Sequence, residues 1–158
     1  MAKLQNITDI LEVAVRIERN GVEFYKKLYD VTKSSEAKEV FSFLAAEEEK
    51  HVGVFRQILE DIDSYSPRLK YPGEYELYLD GIAARGVAVY QEAMDDLSAG
   101  DFYQAINIGI DLEMESIVFY SELKERLGTE STKILDAVIQ EEKTHLSKLE
   151  GIRYTMKV

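Results

Sequence analysis

No cysteine occurs in the 158 residues, so this chain by itself builds no disulfide, iron–sulfur cluster, zinc ribbon or cysteine-ligated iron centre. Proline is scarce: Pro67 and Pro72 are the only two, which leaves long stretches free of helix breakers. Nowhere do eighteen apolar residues follow one another, and Met1 to Leu11 lack a basic stretch followed by an apolar run. No membrane span or targeting segment is therefore expected, and a soluble, cytoplasmic protein is. Positive charge is outnumbered, with 19 Lys and Arg against 30 Asp and Glu, for a net charge of −11. Nucleic acids and anionic membranes are themselves negative and make poor partners for such a chain. Histidine is rare as well, with two copies, His51 and His145.

What is present suits an all-α protein. The composition is 46% apolar and rich in Leu, Ile, Ala, Glu and Lys, and the length fits one domain spanning 1–158. Apolar residues recur in steps of three and four along four segments, the spacing of a buried helical stripe in a left-handed bundle. The first stripe runs Leu4, Ile7, Leu11, Ala14, Gly21, Tyr25, Leu28, with Glu18 in the one slot that breaks it. The second runs Ala37, Phe41, Leu44, Glu48, His51, Phe55, Ile58, Ile62. The third is Tyr103, Ile106, Ile110, Glu113, Ile117, Tyr120, and the fourth Leu135, Val138, Glu142, His145, Leu149, Ile152. Six polar residues thus interrupt four apolar stripes. Both histidines follow a glutamate by three positions, Glu48 to His51 and Glu142 to His145, a spacing that puts each pair on one helix face. A surface ion pair would have fallen on the polar side.

Helices are expected over about 4–32, 36–62, 101–127 and 130–152. Serines near Ser34 and Ser35 offer an N-cap for the second, Asp101 caps the third, and Gly128 stops it. Residues 63–100 read as a crossover with one or two short helices, because both prolines, Gly81 and Gly86 interrupt its pattern. Its tyrosines at 75, 78 and 90 are expected to cover a bundle end or a subunit contact.

The halves repeat. Glu18 precedes Phe24-Tyr25 by the interval at which Glu113 precedes Phe119-Tyr120, and the next seam glutamate follows 30 residues after Glu18 and 29 after Glu113. Each half is therefore a helical hairpin. In an antiparallel hairpin, residues equidistant from the turn share a height, here roughly 22 Å from it at about 1.5 Å per residue. The spacing brings four carboxylates and two imidazoles to one level. Burying even one unpartnered carboxylate costs on the order of tens of kcal/mol in the idealised case, so four must take up protons or find cations. No lysine or arginine lies in the seams at that level. Two divalent cations balance four carboxylates, leaving two neutral imidazoles to fill coordination positions, so a dinuclear metal site is expected.

At Glu18 with Phe24-Tyr25, Glu48-x-x-His51, Glu113 with Phe119-Tyr120 and Glu142-x-x-His145, the chain resembles the ferritin-like superfamily and, within it, the rubrerythrin group. The match extends over the four long helices. The resemblance implies an antiparallel four-helix bundle of two hairpins holding two iron ions. Glu18 and Glu113 would be terminal or bridging ligands, Glu48 and Glu142 would bridge the ions, and His51 and His145 would cap one each. Manganese uses the same ligands. It further implies an oxidoreductase that reduces hydrogen peroxide or dioxygen. In two places the chain departs from the group: Ser116 stands where rubrerythrins carry a further carboxylate, and the cysteine-ligated domain that often feeds in electrons is missing. An external electron-donor protein would then be required. Two further readings stand beside this one, an iron-binding or ferroxidase-type protein without dedicated turnover, and a metal-free helical interaction module.

Tyr25 and Tyr120 lie seven residues beyond Glu18 and Glu113, two turns along the same face. They are candidate catalytic residues as hydrogen-bond donors to ligand carboxylates, or equally core aromatics with an incidental partner. Glu47 and Glu141 each precede a histidine by four and could orient an imidazole of the neighbouring helix, or be ligands in a shifted register. Glu23, Glu49 and Glu115 read as solvated. Symmetry and the tyrosine-rich crossover suggest a homodimer.

Overall fold

The computed structural model describes residues 7–62, 74–127 and 129–156, and all regular structure among them is helical. Five helices follow in order: α1 (Ile7–Val31), α2 (Ser35–Ile62), α3 (Glu74–Ala99), α4 (Phe102–Lys124) and α5 (Thr129–Met156). The expectations for Leu4, the proline-containing segment and Gly128 as a helix stop fall outside the described residues.

Local chemistry sets the ends. α1 stops before Thr32, and the Ser34 hydroxyl accepts a hydrogen bond from the Ala37 amide at 3.2 Å, capping α2. At the other junction, the Gly100 amide bonds the Leu97 carbonyl at 3.1 Å and the Asp101 amide bonds that of Asp96 at 2.9 Å. This paired closure needs a left-handed residue, which Gly100 supplies at φ 84°. Asp101 then caps α4, accepting from the Gln104 amide at 2.9 Å.

α1 packs against α2 and α4 against α5, giving the two expected hairpins. Their apolar stripes form two cores, one at each end of the bundle. One gathers Ile10, Leu11, Ala14, Phe55, Tyr120 and Leu135; the other gathers Tyr25, Leu28, Phe41, Leu44, Ile106 and Leu149. Between them, on every one of the four helices, the chain turns polar at the same level. Tyr103, assigned to the α4 stripe, is instead 36% exposed; the stripe begins at Ala105 and Ile106.

The crossover differs from expectation. In place of one or two short helices it carries a single helix of 26 residues, α3. It lies along α1 and α4 and, among the described residues, meets neither α2 nor α5. Among its described side chains Ile82, Ala93 and Leu97 are buried, with Val89, Tyr90 and Met94 packed on the cluster that holds Ala93 and Leu97. Tyr90 donates to Glu23 at 2.9 Å, tying α3 to α1. Burial and the Glu23 charge raise that phenol to about 12. Among the described residues no helix is long and apolar enough to cross a membrane.

Candidate metal centre

Glu18 on α1, Glu48 and His51 on α2, Glu113 on α4, and Glu142 and His145 on α5 all point into the polar level, each between 1% and 4% exposed. All six expected residues are brought together. Their donor atoms form two overlapping sets, Glu18, Glu48, His51, Glu142 and Glu48, Glu113, Glu142, His145, within each of which the atoms lie inside 4.8 Å of one another.

The distances separate the roles. Nδ1 of His51 lies 2.9 Å from Glu142 Oε1, 3.3 Å from Glu18 Oε2 and 3.5 Å from Glu48 Oε2. Nδ1 of His145 lies 3.0 Å from Glu142 Oε2, 3.2 Å from Glu48 Oε1 and 3.8 Å from Glu113 Oε2. Glu48 and Glu142 each turn one oxygen to each histidine, whereas Glu18 belongs to the His51 side and Glu113 to the His145 side. The two imidazoles stack at 5.6 Å between centroids.

Gly21 makes room for this. A Cβ at that position would sit 3.2 Å from both Cγ and Cδ of Glu48. In the sequence Gly21 reads as an ordinary stripe residue; its signal is a glycine one turn beyond Glu18, the seam glutamate of its own helix, which stands level with Glu48 on the facing one.

The phenols cross between hairpins. Tyr120 of α4 donates to Glu18 of α1, and Tyr25 of α1 donates to Glu113 of α4. Both rings are buried, Tyr120 against Phe55 at 4.8 Å and Tyr25 against Phe24 at 5.4 Å. Beyond the six, Glu141 Oε2 lies 2.8 Å from Nε2 of His51, the imidazole of the neighbouring helix, as the spacing allowed. Its counterpart Glu47 does not do the same for His145; it pairs with Lys50. Phe43, off the stripe and missed in the sequence, sets its ring edge-on to His145 at 6.4 Å and carries the Lys148 ammonium 4.7 Å above it. Ser116, expected as a departure, is buried and lines a small cleft of about 30 Å³ with Ile17, Asn20 and Gly86, beside the Arg85–Glu115 pair at 3.4 Å. Glu115 is thus ion-paired rather than simply solvated.

Electrostatics shows what the cluster needs. Burial pushes the Glu18 carboxyl well above the usual range, with the charges of Glu48 and Glu142 adding to it, and burial together with Glu142 does the same to Glu113. Burial opposes ionisation of Glu48 too, but its close polar neighbours Glu18, His145 and His51 prevail and hold it down at about 2. Burial disfavours a charged imidazole, yet the surrounding carboxylates prevail: His145 rises to about 9, through Glu142 and Glu48, and His51 rises strongly, through Glu142, Glu18 and Glu48. Alone, then, the cluster balances its charge with protons. A divalent cation does that job directly and releases them.

Three buried atoms at this level, Glu18 Oε2, His51 Nδ1 and Glu142 Oε1, have no hydrogen-bond partner. They face one another at 2.9 and 3.3 Å across His51 without forming a hydrogen bond. Buried polar atoms are normally satisfied, and unsatisfied carboxylate and imidazole atoms converging on one point fit a metal ion. The donor set, four carboxylates and two imidazoles with two carboxylates shared, fits a pair of ions.

Comparison with known proteins places the chain. No curated protein matches it significantly. Over 98% of both chains, the structure resembles a crystal structure from Thermotoga maritima, with a TM-score of 0.70 and 26% identity; that protein is described as ferritin-like and diiron-carboxylate. The fold is thus an all-α, ferritin-like bundle. The pattern that defines the rubrerythrin family matches residues 9–152, nearly the whole chain, with all six cluster residues inside it, and the chain belongs to the rubrerythrin family.

Proposed function

We propose that the protein is a di-iron oxidoreductase that reduces hydrogen peroxide or dioxygen with electrons from an external protein donor. The observation that carries this reading is the buried six-residue cluster with two carboxylates turned to both histidines and three ligand atoms left without hydrogen bonds. Family membership and the likeness to the Thermotoga protein support iron as the metal. Glu18, Glu48, His51 and Glu142 would hold one ion, and Glu48, Glu113, Glu142 and His145 the other. Two bound irons would supply two electrons, enough with two protons to reduce peroxide to water or dioxygen to peroxide, and the external donor would restore them.

The chain's own residues supply the rest. Tyr120 keeps a proton at Glu18, and Tyr25 keeps one at Glu113, in a dry interior where burial and the Glu18 charge hold the Tyr120 phenol protonated. The apolar cores above and below the level exclude water along the bundle axis. α3 closes the α1/α4 side, so small oxidants reach the cluster from the α2/α5 side, where Glu141 is half-exposed.

One observation favours a second reading, iron binding and oxidation without dedicated turnover: Ser116 offers no seventh carboxylate. The test is anaerobic reconstitution with ferrous iron, followed by peroxide and a reductant. About two irons per chain and continuous peroxide consumption, both lost in Glu48→Ala and Glu142→Ala, are expected. Oxidation of the bound iron once, with no turnover under any reductant, would favour the second reading. No bound iron would remove both.

A further inference from the structure

We propose that the two ion positions are unequal, that the one at His51 fills first, and that Glu141 is the positioning residue that makes it so. This rests on the dinuclear reading above.

Two independent observations point the same way. The three ligand atoms without hydrogen-bond partners, Glu18 Oε2, His51 Nδ1 and Glu142 Oε1, all belong to the His51 side. The His145 side has closed on itself: its Nδ1 and Glu142 Oε2 are hydrogen-bonded at 3.0 Å. An ion arriving at His51 meets unsatisfied donor atoms and displaces no hydrogen bond among them, whereas an ion arriving at His145 displaces a buried one.

The second observation is the outer partner of each ring. Glu141 holds Nε2 of His51 at 2.8 Å. A carboxylate only accepts, so Nε2 is the nitrogen that keeps its proton when an arriving ion displaces the one at Nδ1, and the lone pair so freed faces Glu18 and Glu142. Such a partner fixes tautomer and ring orientation and makes the imidazole a stronger donor to a metal. By the internal repeat, Glu47 occupies the matching place for His145, but its carboxylate is turned to Lys50. The repeat thus delivers two glutamates and uses one.

The test titrates the metal-free protein with cobalt(II), without oxygen, reading ions bound by visible absorption and the histidine ring protons by their paramagnetic NMR shifts. The wild-type protein is expected to bind in two steps, with a single ring N–H, slow to exchange, shifted at the first equivalent. Glu141→Ala is expected to weaken the first step about 10–100-fold, the range for losing such a partner, and to abolish the slow exchange. Glu141→Gln, which can still accept from Nε2, should recover most of the slow exchange but only part of the affinity. Glu47→Gln should alter neither step, and all three variants should melt with the wild-type protein when metal-free.

Two equal steps in the wild-type protein, equal weakening of both steps by Glu141→Ala, or the same loss in Glu47→Gln would overturn the proposal while leaving the dinuclear centre standing. Failure of the wild-type protein to bind two cobalt ions would overturn the centre and this inference with it.

Discussion

The α1/α2 and α4/α5 hairpins carry the same parts at the same height: a carboxylate on the first helix, a Glu-x-x-His on the second, and a phenol two turns beyond the first carboxylate. The phenols are used alike, each reaching across to the other hairpin. Two other matched positions are used differently. Gly21 of α1 and Ser116 of α4 are repeat mates, yet the first yields space to Glu48 and the second lines a cleft against α1 and α3. Glu141 reaches His51, whereas Glu47 reaches Lys50. What the halves share is fixed by the need to neutralise buried carboxylates; what they do not share lies one layer out, where α3 covers one side of the bundle and solvent the other.

The strongest test of the shared part removes one carboxylate together with its phenol. Glu18→Leu/Tyr120→Phe and Glu113→Leu/Tyr25→Phe should each lose binding at one ion position. Replacing buried ionisable groups with packing residues should also raise the stability of the metal-free protein, by roughly 1–4 kcal/mol, measured by denaturant unfolding. The first pair should gain more, because it also removes the unsatisfied Glu18 Oε2.

Glycine positions separate packing from ligation. In Gly109→Ala the new Cβ would lie 2.8 Å from the Phe24 ring, and about 3 kcal/mol of destabilisation is expected from overpacking between α4 and α1. Gly21→Ala meets only the movable Glu48 side chain at 3.2 Å, so unfolding should change little. Because Glu48 faces both histidines, metal titration should show both steps weakened together, unlike the one-sided effect of Glu141→Ala.

Single Tyr25→Phe and Tyr120→Phe replacements each leave a buried carboxylate oxygen without its donor, costing about 2 kcal/mol. If the phenols are truly matched, the two losses should agree within about 0.5 kcal/mol in parallel unfolding curves. A larger spread would mean that the pseudo-twofold is already broken at the inner layer.

The inner layer was legible because periodicity reports which side of a helix is buried, and a glutamate or histidine within an apolar stripe has nowhere else to point. Counting from the turns placed Glu18 level with Glu48 and Glu113 level with Glu142. The crossing of the phenols was not legible: Tyr25 shares a face with Glu18, but spacing within one helix does not say which neighbour a long ring will reach. α3 was underestimated for a related reason. It buries only a narrow stripe against α1 and α4, and Gly86 occupies a slot of that stripe between Ile82 and Val89, so the pattern reads as broken where the helix is continuous. Glu141 and Glu47 stand at the same interval before their histidines, but Lys50 lies one turn after Glu47 where Thr144 follows Glu141, and in the structure Glu47 turns to that lysine while Glu141 reaches a ring.

The crossed phenols have a consequence for how such a centre can diversify. Neither hairpin completes its own site, so the smallest working unit is two hairpins, and two identical copies would satisfy one another equally well. An assembly of that kind would be bound by symmetry to give both ions the same surroundings, and every substitution would act twice. Joining the hairpins through α3 into one chain lifts that constraint. A change at position 47 or 141 then alters one ion's surroundings alone, and the two positions become free to take on separate tasks.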